Sequence, residues 1–359
     1  MKVGIMSMQR IINYGSYLQA YALSNTIRSL GHEVEFVDFK IEKCIDDPSR
    51  PPKKGDLYIP KKITEYSEKD KKDYYELVEF NEKFKNEFLK ELGVSKRNER
   101  PELDTLVIGS DEVFNCLQDN SDVGYSLELF GKNHKANKLI TYAACCGATT
   151  VERLHKFEKD AEISGLLNKF NAISVRDENS KVLVETLSNI EPINHLDPVL
   201  IYDFSDVVRD VVDIKDYIIL YGYPFNFNER ESNYIKEFAK KQNKKIVAIG
   251  TCQSCADIFI KAHPLEVLPY FKKADFVITN TFHGSIFAIK THTPFVTAIK
   301  NYNSQKLSDL LNRLNLSDRC ITSYSQLDEA YKKEVDFSKS DKIIETEKLR
   351  TIDYLKQNI

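Results

Sequence analysis

The sequence predicts an α/β protein of two Rossmann-like domains facing across a cleft. Three observations carry this. Short apolar runs recur with helical patterns between them. A Pro-containing stretch, Glu191–Pro198, divides these runs into two series, as a hinge would. Polar residues stand directly after several apolar runs, where ligands bind in open parallel sheets. The length of 359 residues fits two domains.

The first series opens with the apolar run Val3–Met6, then a helical pattern over Ser16–Leu30 with Leu18, Ala22, Leu23 and Ile27 on one face. Gly31 is its stop signal, and Glu33–Phe39 is the next strand. Residues 40–100 break the rhythm as an insert. Pro48–Lys54 reads as a loop. Lys71–Leu92 reads as a charged helix with Leu77, Phe80, Phe84 and Phe88 on one stripe, either packed structure or part of a lid. Strands follow at Thr105–Gly109, Leu139–Ala144 and Ala172–Val175, with helices expected at His155–Asn171 and Glu178–Leu187.

The second series has strands at Tyr217–Tyr221, Lys245–Ile249, Phe276–Thr279 and Phe295–Ile299. Helices are expected at Glu229–Gln242, His283–Lys290 and Ser304–Leu314, and a tail helix at Asp341–Asn358. The expected domains are therefore residues 1–200, joined by a C-terminal helix within 335–359, and residues 201–334.

Composition narrows the function classes. Lys and Arg number 51 against 54 Asp and Glu, a net charge of −3, so a nucleic-acid partner is not expected. No apolar run approaches the ~20 residues of a membrane span, and the N-terminus lacks a signal-peptide core, so a cytoplasmic protein is expected. Seven cysteines in such a chain are expected to be reduced. Cys252 and Cys255 form a lone C-x-x-C without a partner pair at zinc spacing, and no metal is expected. Cys145 and Cys146 read as small buried residues. Phosphate-binding P-loop, dinucleotide and hydrolase-elbow motifs are absent.

Four stretches carry candidate chemistry. In Phe276–Ser285, an apolar strand runs into Thr279, Asn280 and Thr281, and His283-Gly284-Ser285 opens a helix. A helix start holds anions, Gly284 permits close approach, and His283 suits proton transfer near neutrality; a capping or packed histidine is the plainer alternative. In Thr105–Asn115, Asp111 follows the strand, either as a helix cap or as a group that orients or deprotonates a sugar hydroxyl. Arg176 follows the strand Ala172–Val175, placed to grip an anion bidentately or to pair with a nearby acid such as Asp177. In the first loop, Gly15 permits a tight turn and Ser16 can cap the helix, while Asn13 and Gln19 offer hydrogen bonds to sugar hydroxyls; a purely structural cap is the alternative.

Taken together, these stretches resemble the polysaccharide pyruvyl transferase family. The resemblance rests on Asn13-Tyr-Gly-Ser with Leu18-Gln-Ala-Tyr-Ala-Leu23, and on Ile108-Gly-Ser-Asp-Glu-Val-Phe-Asn115. It continues through Tyr142-Ala-Ala-Cys-Cys-Gly147, Ile173-Ser-Val-Arg-Asp177, Asp197-Pro-Val-Leu200 and Thr281-Phe-His-Gly-Ser285. These occur in the family's order over most of residues 1–300. The resemblance implies a GT-B-like fold, phosphoenolpyruvate as donor substrate with no separate cofactor, and a glycan or lipid-linked sugar acceptor. Peripheral membrane contact and oligomeric state stay open. By that likeness Arg176 and His283 sit at the donor. With the reading of the residues, this places Arg176 and the amides of Gly284 and Ser285 as anion cradle, with Thr281 beside them. His283 is the acid, and Asp111 with Asn13 hold the acceptor diol. The chain has Thr281 where relatives carry an Arg two positions before the histidine, one cation fewer, and Cys145-Cys146 where a Ser-Phe pair is common. A nucleotide-sugar glycosyltransferase and a catalytically silent partner in glycan assembly are the alternatives.

Overall fold

The computed structural model describes residues 1–42, 45, 65–118, 123–209, 211, 213–300 and 304–359. The expected loop Pro48–Lys54 lies outside them.

Two separate parallel sheets of six strands form the scaffold. The first contains β1 (Lys2–Met6), β2 (Glu33–Phe36), β3 (Glu102–Asp111), β4 (Lys135–Ala144), β5 (Ser174–Val175) and β6 (Ile193–Asn194), in the order β2-β1-β3-β4-β5-β6. The second contains β7 (Tyr217–Tyr221), β8 (Lys245–Ile249), β9 (Ile258–Ile260), β10 (Phe276–Thr279), β11 (Phe295–Ala298) and β12 (Cys320–Ile321), ordered β12-β11-β10-β7-β8-β9. Strands such as β7 and β10 are buried along their whole length, which is why they read as unbroken apolar runs.

Each sheet reverses its strand order once, between β1 and β3 in the first and between β7 and β10 in the second. Crevices beyond such reversals are where doubly wound sheets bind ligands.

The helix Glu178–Leu187 begins and ends where the spacing predicts. The expected helix His155–Asn171 is instead two, Val151–Lys156 and Asp160–Leu167. Glu158 between them has φ +56, a left-handed value that a continuing helix cannot hold. Strands β6, β9 and β12 escape the sequence pattern because two or three residues show no alternation to read.

The insert helix Glu68–Lys83 runs on through a π-helical turn at Phe84–Phe88. Phe80 and Phe84 pack on Tyr14, at ring separations of 6.3 and 6.0 Å. Its polar face reaches the second domain through Glu76 to Lys261 at 2.6 Å and Glu91 to His263 at 3.0 Å. The C-terminal helix Ser338–Asn358 lies on the first sheet's side: Tyr354 Oη donates to the Thr141 carbonyl at 2.8 Å, and Lys138 Nζ to the Ile359 carbonyl at 3.1 Å. At the junction Tyr14 Oη donates to the Ala262 carbonyl at 2.8 Å, and a Cβ on Gly250 would overlap the Tyr14 ring.

Candidate active site

Four neighbouring strands of the first sheet end in a row of chemistry-bearing residues. β3 ends at Asp111, β4 runs into Cys145, β5 into Arg176, and β6 leads through His195 to Asp197. Neighbouring strands lie about 4.8 Å apart, so side chains from successive strand ends meet. Arg176 Nη1 donates to Asp197 Oδ2 at 3.0 Å, and its Nη2 lies 3.5 Å from Asp111 Oδ1. The second domain closes over this pair: the guanidinium sits 4.2 Å from the centre of the Phe282 ring, and His283 Nε2 lies 3.5 Å from the same Asp197 oxygen.

Asp197 is fully buried. Burial alone would raise its carboxyl, but His283, Arg176 and the Val199 amide outweigh it and hold the carboxyl below the usual range. Arg176 is likewise buried; desolvation opposes its charge, and the surrounding Cys145, Asp111, Asp197 and Asp177 override that and raise its guanidinium. Asp111 also accepts from Ser16 Oγ at 3.2 Å.

The His283 ring meets the first domain at Gly15. A Cβ there would overlap the imidazole, so only glycine allows this approach. Asn13 caps the same helix, its Oδ1 accepting from the Ser16 amide at 2.7 Å. Asn13, not the expected Ser16, is thus the cap of this helix. Gln19, the other expected sugar contact, is buried and donates to Ser7 Oγ while accepting from Ser110 Oγ at 2.6 Å.

The expected anion cradle at the second domain's helix start is not open. Thr281 caps the helix Phe282–Lys290: its hydroxyl accepts from the Gly284 amide at 3.1 Å, and its carbonyl from the Ser285 amide at 3.2 Å. Both amides assigned to the donor are therefore satisfied inside the helix. Ser285 is buried, with Oγ 2.8 Å from Thr297 Oγ1. Gly284 faces Thr279, Thr281 and Tyr221, so its missing side chain serves packing rather than ligand approach. Arg176 is paired with acids, the other role its position allows: two carboxylates share its charge. Its partners are Asp111 and Asp197, while Asp177 instead caps the helix Glu178–Leu187.

A second ion pair spans the domains. Lys306, on the helix Ser304–Arg313, binds Glu112 Oε1 at 2.8 Å, and Asn115 Nδ2 donates to the other carboxylate oxygen. Burial opposes the charge on Glu112, yet Lys306 and Asn115 together, with Arg176 nearby, bring its carboxyl down to about 2. Sequence reasoning missed Lys306 and Glu112 as site residues, and it used Asp197 only as a motif landmark. Glu112 stands beside Asp111 in the same strand-end motif, which was the available signal; Lys306 had none.

A family model described as polysaccharide pyruvyl transferase matches residues 13–302. The chain belongs to the polysaccharide pyruvyl transferase family. It is therefore a transferase. No curated protein matches it closely enough to count as a relative. Among solved structures, the chain resembles the UDP-GlcNAc 2-epimerase from Neisseria meningitidis bound to UDP-GlcNAc. The identity is 12%, the TM-score is 0.50, and the likeness covers 99% of this chain and 100% of that one. The S. aureus MnaA–UDP structure is similar over 100% of this chain and 97% of that one, with 10% identity and a TM-score of 0.49. MurG of Acinetobacter baumannii is similar over 99% of both chains, with 10% identity and a TM-score of 0.41. At such identities the likeness shows the fold alone, two Rossmann-like domains in a GT-B-like arrangement. Among the described residues no helix is long and apolar enough to cross a membrane, and no group of three His, Cys, Asp or Glu side chains is placed to hold a metal.

Proposed function

We propose that this protein moves pyruvate from phosphoenolpyruvate onto two hydroxyls of a glycan or lipid-linked sugar as a ketal. The observation that supports this is the chain of contacts Asp111–Arg176–Asp197–His283, built from the strand ends of one domain and a helix start of the other.

A proton delivered to the donor's methylene carbon makes C2 electrophilic. A sugar hydroxyl attacks C2 and gives up its proton. The C2–O bond to phosphate breaks with its electron pair, and the second hydroxyl closes the ketal as its proton leaves. His283 is the proton donor, with Asp197 as the counter-charge for its positive form, as a carboxylate serves the histidine of a catalytic triad. Asp111, 14% exposed at its side chain, receives a hydroxyl proton. Arg176 acts as a positioning residue that holds both carboxylates. Lys306 is a quarter exposed, and it is the cation we assign to the donor's phosphate or carboxylate.

The test is a reaction of the purified protein with phosphoenolpyruvate and a set of oligosaccharides, following free phosphate and product mass. Phosphate release with one ketal added to the sugar is the expected result. A nucleoside diphosphate released from a nucleotide sugar instead would assign glycosyl transfer.

A further inference from the structure

Tyr223 lies just past β7, on the opposite side of the second sheet's order reversal from β10 and His283. Tyr221 at the end of β7 is in register with Thr279 at the end of β10, so the two strand ends open onto one crevice. Tyr223 is 55% exposed, whereas Tyr221, two residues earlier, is buried.

The turn that carries the ring is fixed. Gln253 Nε2 donates to the Tyr223 carbonyl at 2.7 Å, and the Asn226 amide donates to the same oxygen at 3.1 Å. Thr251 Oγ1 donates to the Gly222 carbonyl at 2.8 Å. Tyr66 of the insert packs on Phe225 of this turn, with ring centres 4.8 Å apart. Tyr223 also lies within electrostatic reach of Lys306, the second cation of the site. A large exposed ring on a rigid turn at a crevice pre-organises a stacking surface at little entropic cost.

We infer that Tyr223 is the platform on which a pyranose ring of the acceptor stacks. The axial C–H bonds of a pyranose make one face apolar, and such a face packs on the electron-rich face of a phenol ring. The sugar's hydroxyl edge then projects toward the cations and carboxylates of the site. This rests on the pyruvyl-transfer reading for what the platform serves, but its binding is measured without donor.

The chain contains no tryptophan, so Tyr223→Trp introduces a single indole at the platform. Its fluorescence is titrated with maltose, lactose, chitobiose and uridine diphosphate, without phosphoenolpyruvate. Saturable quenching by at least one disaccharide is expected. For that sugar, Tyr223→Ala loses affinity by about tenfold in calorimetry, the size of one lost ring stack. Quenching by uridine diphosphate alone, quenching by none, or an unchanged affinity in Tyr223→Ala overturns the platform. Phosphate release from phosphoenolpyruvate is read separately on the wild type. Disaccharide quenching without that release would remove the pyruvyl reading and leave the platform standing.

Discussion

His283 of the second domain rests against the backbone of Gly15 in the first, in a space that a single added methyl would fill. The domain junction and the proposed acid are therefore one feature: the imidazole is placed by the helix start of the opposite domain.

Gly15→Ala should displace His283 and lower turnover by about 10²-fold, because a misplacement near 1 Å has that effect on positioned groups. Alanine suits the helical backbone at Gly15, but its methyl must push the packed imidazole aside, so the melting temperature should fall as well, by an overpacking cost of about 1–3 kcal/mol. Full activity in the alanine variant would show that the ring position is irrelevant.

Arg176→Met should leave Asp111 and Asp197 without their shared cation. Breaking a buried pair in this way costs about 3–5 kcal/mol. Arg176→Lys should recover only part of this, because one ammonium cannot bridge two carboxylates as a planar guanidinium does. Urea unfolding decides between roles. A residue that merely grips donor would lose phosphoenolpyruvate affinity and keep its stability; a positioning residue loses both.

Arg176, Asp111 and His283 were legible because each follows an apolar run, where a parallel sheet delivers side chains to its ligand end. The partnerships among them were not. Asp197 reaches Arg176 only through the register of two-residue strands, which carry no pattern. Lys306 is the one lysine of an amphipathic helix, and nothing in the sequence separates it from an ordinary solvated charge until the fold sets it against Glu112. The closed helix start at Thr281 shows the opposite failure. The motif suggested an open anion site, but a threonine at a helix start fills its own amides first.

Thr281→Val should remove that cap and cost about 1 kcal/mol, the usual value of a lost N-cap. Gly284→Val should cost more, since its side chain would overlap Thr279, Thr281 and Tyr221. Both losses should appear in melting temperature. A normal melting temperature combined with abolished donor binding would restore the anion cradle.

The Glu112–Lys306 pair should make stability depend on acid. Glu112 sits at about 2 in the folded chain against an ordinary 4.5. A depressed carboxyl contributes stability that is fully present above its unfolded value and lost as pH falls through the folded one. The contribution is about 3 kcal/mol at most. Glu112→Gln should therefore be less stable than wild type above about pH 4.5, with the gap closing as pH falls toward about 2. A gap independent of pH would mean that the pair contributes through packing alone.

Donor binding should be coupled to proton uptake. At the junction Arg176 and Lys306 bring two positive charges against the three carboxylates Asp111, Asp197 and Glu112. Phosphoenolpyruvate adds a phosphate and a carboxylate to a site that is already short of positive charge. Burying that excess would be costly, so the bound state should hold about one more proton than the free state. His283, against Asp197 and at the junction, is the group placed to carry it. Because the complex binds more protons, affinity must rise as pH falls. Calorimetry in Mops and in Tris buffer at one pH measures the uptake directly, since the two buffers release a proton with different heats and neither carries a phosphate that would compete for the site. The heats should differ for the wild type and agree for His283→Gln. Equal heats in the wild type would mean that the donor's charge is met by cations alone and that His283 does not bring the proton.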